Sequence, residues 1–323
     1  MVANRFYSYA LVFPTCFVIL SVGGRKLPTM STVRAPVGTD WRALAAVSTT
    51  VLAWASAFVA IRRVGESFSA APLAAGRLIV GSVLLGGALL FTRSWVRPTR
   101  REWVLLTVCG VAWFAIYNIA LNAGEQRIDA GTSAMLVNIG PLLIAVFAGL
   151  FLGEGFPKWL VVGVVVAFVG AVTIGAATAN TDDADLWGVV LCLIAALTYA
   201  IGVLAQKPVL RRLPALQVTW IACTIGTVAC LPAVPQLITE LGEASAGPIG
   251  GLIYLGAIPT ALAFGTWAYA LARMNAGKLG VTTYLAPPLA ALMAWVLLDE
   301  VPPPLAFVGG AICLLGVALS RRR

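Results

Sequence analysis

Arg77 is the one ionisable residue that lies well inside a long apolar stretch of this chain. A charge in hydrocarbon costs at least ~2.5–3.5 kcal/mol on insertion scales, so such a residue must face protein or water. Three uses fit it: attracting an anionic group such as a carboxylate, snorkelling to an interface, or tying helix ends through backbone carbonyls. Pro141 and Pro287 each lie about ten residues into an apolar run, which is roughly 15 Å along a helix and close to a bilayer midplane. Proline donates no backbone hydrogen bond, so the carbonyls of Val137 and Thr283 lose their usual partners. A break of this kind either lines a cavity or is a static kink. Asn138 and Tyr284 stand beside the two prolines and bring polar groups to the same depth. Trp54, Trp113, Tyr117, Tyr199, Trp220 and Trp267 fall mid-run. Aromatic walls with a few polar tips suit a small amphiphilic molecule, although the ordinary use of such rings is packing. These eleven positions are the candidates for lining a substrate cavity.

Catalytic chemistry has little to work with. Histidine is absent, which removes Ser-His-Asp and Cys-His catalysis and His-ligated metal sites. Cys16, Cys109, Cys192, Cys223, Cys230 and Cys313 fall inside apolar stretches with no CxxC pair, and read as small buried hydrophobes. Glu154 and Glu300 each follow the last apolar residue of a run, where they reach an interface. Coupling through a buried acid therefore has no support in the sequence. No enzymatic activity, cofactor or metal is expected.

The elements that must hold these residues are set by composition. Apolar residues make up 60% of the 323 and charged ones 11%, against a usual charged share of about 25%. That is too little charge to cover a soluble surface, and a mean hydropathy of +0.93 agrees. A spanning helix needs roughly 20 mostly apolar residues. Uncharged runs of that order occupy 43–61, 103–124, 130–153, 159–181, 186–206, 213–239, 244–272, 279–298 and 301–320, and a tenth, 69–92, is interrupted only by Arg77. With the segment before the first span in the cytoplasm, 18 Lys and Arg fall inside and only Arg62, Arg63 and Arg127 outside. The net charge of +9 thus fixes orientation and does not point to nucleic acid. Both ends of the ten-helix body are expected in the cytoplasm, in a bacterial plasma (inner) membrane. Trp41, Trp103, Trp159 and Trp187 stand at span starts and fit an interfacial belt. Residues 1–40 form an N-terminal extension outside this plan; Met30 leads directly into a polar tail and the first span.

The chain also repeats itself. Residues 130–175 align without a gap on 276–321, at an offset of 146, with Pro141 on Pro287, Glu154 on Glu300, Gly163 on Gly309 and Gly170 on Gly316. Trp54 to Arg62 resembles Tyr199 to Lys207. Each half holds five spans, an odd number, so the second half enters the membrane from the opposite side. The expected fold is an all-α integral membrane protein of ten transmembrane helices, built as two inverted five-helix repeats over 41–180 and 184–321. Inverted repeats are the recurrent build of secondary transporters, whose halves exchange conformations about a central site. The paired glycines of spans five and ten, seven residues apart, suit close helix packing or a homodimer.

Several segments together resemble the EamA-like transporters of the drug/metabolite transporter superfamily. They are Trp54-Ala-Ser-Ala-Phe, Ala75-Gly-Arg77-Leu, and the blocks 130–154 and 276–300, which run from Ala-Gly through a mid-helix proline to Leu-Gly-Glu154 and Leu-Asp-Glu300. The resemblance covers nearly all of 42–320. It implies a carrier, often an exporter, of a small metabolite or drug-like solute, with a cavity lined from both halves. A nucleotide-sugar or sugar-phosphate carrier shares the plan but calls for several basic residues in the cavity, and a non-transporting membrane scaffold is a third reading. The expected partners are the lipid bilayer and a small molecule.

Overall fold

The structure is a computed structural model that describes residues 41–92, 95–151, 158–179, 185–273 and 282–319. The extension 1–40, Cys16 and Glu154 lie outside these residues. All regular structure within them is helical. In chain order the helices are α1 (Trp41–Val64) and α2 (Ala70–Thr92), α3 (Arg100–Glu125), and α4 in two pieces (Ala130–Val137 and Gly140–Phe151). Then come α5 (Lys158–Ala179), α6 (Leu186–Val209), and α7 (Ala215–Ala229, continuing as Leu231–Glu243 after a 51° bend). The last three are α8 (Ala246–Arg273), α9 (Ala286–Leu298) behind a 3₁₀ turn at Thr283–Leu285, and α10 (Pro304–Leu319). By length and apolarity, α1, α2, α3, α6 and α8 can each cross a bilayer, the bent α7 does so as a pair, and α4, α5, α9 and α10 supply shorter apolar stretches. Helices satisfy their own backbone groups, which hydrocarbon cannot do. Large apolar side chains such as Phe91 (90% exposed) and Leu90 (79%) point outward, an arrangement suited to lipid rather than water.

Local chemistry fixes the helix ends. Thr99 and Glu102 form a reciprocal capping box at the start of α3, which satisfies two otherwise orphaned N–H groups. The carboxylate of Asp129 accepts from the backbone N–H and the hydroxyl of Thr132 at 2.8 and 2.6 Å, opening α4. Burial nevertheless pushes the Asp129 carboxyl up. Asp185 caps α6 by accepting from the N–H groups of Trp187 and Gly188. The hydrogen bond from Arg127 holds its carboxyl below the usual range. Asp299 ends α9 in the left-handed region (φ 56°, ψ 20°), and so turns the chain and places Glu300.

The internal repeat is visible in the packing. A π-helical turn occupies Gly110–Ile116 in α3 and another Gly256–Leu262 in α8, at the same offset of 146 that relates the sequence halves. α1 packs on α8 as α3 packs on α6, and α2 packs on the α8 π turn as α7 packs on the α3 one. A Cβ added at Gly81 would meet Thr260 and the Gly256 carbonyl, while one at Gly226 would meet Phe114 and the Gly110 carbonyl. The two sets of contacts exchange when the halves are exchanged, as a pseudo-two-fold axis requires.

α5 and α10 pack against each other antiparallel. A Cβ at Gly170 would come within 2.6 Å of the Gly309 carbonyl and of Cys313, and one at Gly316 within 2.6 Å of the Gly163 carbonyl. The two glycine pairs are thus spent on one intramolecular contact, because backbones this close leave no room for a side chain. Of the two uses the sequence allowed for these glycines, close helix packing or a homodimer, the structure shows the first, between α5 and α10. Cys109, Cys192, Cys223, Cys230 and Cys313 are buried and free.

Candidate substrate cavity

Residues of α1, α2, α3, α4, α6, α8 and α9 line a cavity of about 50 Å³. One water needs ~10–15 Å³ by this measure, so this space takes a few waters. Arg77, Trp54, Trp113, Tyr117, Tyr199 and Asn138, all anticipated from the sequence, line it. So do Phe58, Leu121, Val137, Phe264, Thr283 and Ala286. Phe58 and Leu121 follow Trp54 and Tyr117 by one helical turn and share their faces, a signal that extending each face would have found.

The wall is aromatic and comes from both halves. Trp113 of α3 lies 5.2 Å from Tyr199 of α6 and 4.9 Å from Phe264 of α8, ring centre to ring centre. Trp54 of α1 lies 5.5 Å from Phe264 and 5.1 Å from Trp267. Trp267 therefore backs the wall from behind without lining the cavity, and its indole N–H has no hydrogen-bond partner among the described residues. Trp220 belongs elsewhere: it packs on Trp95 with ring centres 6.1 Å apart and against Gly86. A surrounding ring alone cannot be told from a cavity ring by its place in a run, because both sit mid-helix.

The prolines act at one remove. α4 is interrupted at Asn138 and Ile139, just before Pro141, which opens the second piece within its first turn. Pro287 takes the same place at the start of α9, after the Thr283–Leu285 turn. Both prolines are buried outside the lining, whereas Val137 and Thr283, four residues before them, face the cavity. Asn138 spends its amide on the carbonyl of Ala134 at 3.2 Å and leaves its Oδ1 without a partner among the described residues. The side chain of Tyr284 lies outside what the structure describes.

Arg77 is 3% exposed and turned into the bundle, not snorkelling to an interface. Its Nε donates to Thr260 Oγ1 at 3.2 Å, and its Nη1 has no partner among the described residues. Thr260 sits in the α8 π turn, where it donates in turn to the carbonyl of Leu255 at 2.8 Å. Pro259 in that turn has no N–H to give this carbonyl, and the hydroxyl that donates to it presents a lone pair to the guanidinium. Just past the π turn of α3, Asn118 donates to the carbonyl of Phe114 within that turn at 2.6 Å.

Sequence reasoning missed one acid. Glu125 closes α3, one turn beyond Leu121, and is fully buried, with neither carboxylate oxygen hydrogen-bonded among the described residues. It follows the uncharged run 103–124, a place where an acid ordinarily reaches an interface, but the helix continues through it. Arg62, one turn beyond Phe58, donates to the Glu125 backbone carbonyl at 2.9 Å and to Glu300 Oε1 at 2.7 Å. Arg62 and Glu300, with Gly65, Glu66 and Gln126, line a surface recess of about 360 Å³. A larger recess of about 470 Å³ beside α4, α5 and α6 is lined by apolar side chains such as Leu142, Phe168 and Leu193. It carries no polar group to orient a solute.

Comparison with known proteins agrees with this architecture. The model of the EamA-like transporter family matches residues 41–176 and again 186–322. A protein of Streptantibioticus cattleyicolor named "Probable terminal-alkyne amino-acid exporter" is 37% identical over 87% of this chain and 94% of its own length. The "Uncharacterized transporter YdfC" of Bacillus subtilis is 29% identical over 83% of this chain and 87% of its own. One crystal structure superposes with a TM-score of 0.61 over 86% of this chain and 97% of its own, at 20% identity, a likeness of fold.

Proposed function

Because the chain belongs to the EamA-like transporter family, we propose that it exports a small amino-acid-like solute by alternating access around the cavity between its repeats. The observation that carries this reading is the cavity itself: an aromatic wall drawn from both halves, with one buried guanidinium whose Nη1 is unpartnered among the described residues. The wall suits an apolar side chain and the guanidinium suits a carboxylate. The 37% identity to a named amino-acid exporter supports the same class. A nucleotide sugar fits less well, because Arg77 is the only basic residue among those lining the cavity. The Arg62–Glu300 pair ties α1 to the end of α9 between cavity and recess, and serves as the closed gate on the outer side.

The test is flux. Purified protein in proteoliposomes should show saturable counterflow of L-propargylglycine, a terminal-alkyne amino acid, and none of a UDP-sugar. Saturable flux of the UDP-sugar alone would favour the other carrier class, and flux of neither would remove the reading. The orientation is checked separately, in intact cells carrying single cysteines on a background without native ones. A membrane-impermeant thiol reagent should label positions within 182–185 and spare those within 207–212; the reverse pattern would overturn the cytoplasmic placement of both ends.

A further inference from the structure

Glu125 has no place in an amphiphile cavity built only from rings and an arginine. It stands one turn beyond Leu121, on the face of α3 that carries Tyr117 and Leu121 to the cavity Arg77 also lines, and it is fully buried. Yet the two groups form no direct ion pair: those among the described residues are Arg62–Glu300, Arg127–Asp185 and Arg212–Glu102. Among the described residues each of the two keeps a hydrogen-bonding atom unpartnered, Nη1 on Arg77 and both oxygens on Glu125. Buried polar groups are ordinarily satisfied, and a charged one left unsatisfied is costly. A guanidinium and a carboxyl that do not meet, each with free valences among the described residues, therefore make a site for a ligand that carries both charges.

Resting on the reading that the cavity carries an amino-acid-like solute, we propose that Glu125 binds the substrate ammonium group while Arg77 binds its carboxylate. The side chain of the substrate then points from this polar end toward the rings of Trp54, Trp113, Tyr199 and Phe264. The ligand class is a primary-ammonium zwitterion with an apolar side chain. Tyr117, Leu121 and Glu125 recur every four residues on one face of α3, so one helix carries both the wall and the ammonium site. Asn122, beside them, donates to the Ala70 carbonyl at 3.0 Å and leaves its Oδ1 without a partner among the described residues. That oxygen is a second acceptor for an ammonium.

Counterflow with three probes separates the parts: L-propargylglycine, its N-acetyl derivative, which lacks the ammonium, and its carboxamide, which lacks the carboxylate. The parent protein should prefer the free amino acid over either derivative by about tenfold or more, the usual worth of one charge-assisted hydrogen bond. Glu125→Gln should abolish the preference over the N-acetyl compound and keep that over the carboxamide, and Arg77→Gln should do the opposite. Glu125→Asp, which retains the charge, should keep the N-acetyl discrimination at lower flux, and it stands in if the Gln variant fails to reach the membrane. A Glu125→Gln protein that still rejects the N-acetyl compound at the parental ratio would overturn the assignment, as would a Glu125→Asp protein that is folded and has lost it. Parental flux of the amino acid with no discrimination between the first two probes would sink the ammonium site alone. Absence of flux for all three would sink the transport reading beneath it.

Discussion

Replacing Arg77 with Gln is expected to cut substrate flux about 100-fold while leaving the folded protein at least as stable as the parent. The first half follows from geometry. Arg77 is the cationic group on the cavity lining, and its Nη1 is free to meet an anion. Removing one partner of a buried charged contact costs about 2–5 kcal/mol, which at a factor of ten per 1.4 kcal/mol is about one and a half to three and a half decades and brackets that figure. The second half follows from burial. The guanidinium is 3% exposed and has only Thr260 as a side-chain partner among the described residues, so it contributes strain more than cohesion, and a neutral amide relieves the desolvation of a charge. Arg77→Lys keeps the charge but loses the fork that grips a carboxylate through two N–H groups, and should fall between. Thermal unfolding in detergent and proteoliposome flux, measured on the same preparations, check both halves. Parental flux in Arg77→Gln would make the residue a helix-packing group.

Reversing the charge at the gate should stop transport, and reversing its partner should restore it. Arg62→Glu would set a third carboxylate beside Glu300 and Glu125, where the parent has one cation bonded to Glu300 and to the Glu125 backbone. The outer end could then no longer close, and flux should fall at least about tenfold. Adding Glu300→Arg re-forms an ion pair of the opposite sense and should recover most of the loss. The pair is part-exposed, with side chains 33% and 24% accessible, and exposed pairs contribute only ~0.2–1 kcal/mol to stability. A transport defect without a matching change in unfolding temperature therefore identifies a gate. A double variant as inactive as Arg62→Glu alone would show that the pair does not act as one.

Most of the architecture was legible in the chain. Run lengths and the scarcity of charge demand helices that bury their own backbone groups, and the offset of 146 between matched prolines and glycines demands two related halves. An odd number of spans in each half then dictates inversion, and the antiparallel contact of Gly170 with Gly309 and of Gly163 with Gly316 is its packed form. The aromatic and polar positions around Trp54, Trp113, Tyr199 and Asn138 were also visible, because mid-helix depth and side-chain type are properties of a single segment.

What segments could not show is which face of each helix meets which neighbour. Trp220 and Trp113 are alike in sequence terms, both tryptophans midway along a run, yet one packs on Trp95 and the other lines the cavity. Glu125 stood at the end of an apolar run, where an acid normally reaches water. Only the fold enclosed it, under Arg62 and the end of α9. The π turn in α3 likewise leaves no mark in local propensity, and Pro259 in the α8 turn marks a break without saying that Thr260 meets Arg77. Depth and periodicity are one-dimensional and can be read along the chain; azimuth, burial and partnership depend on packing between residues up to more than two hundred positions apart, and the tertiary structure alone decided them.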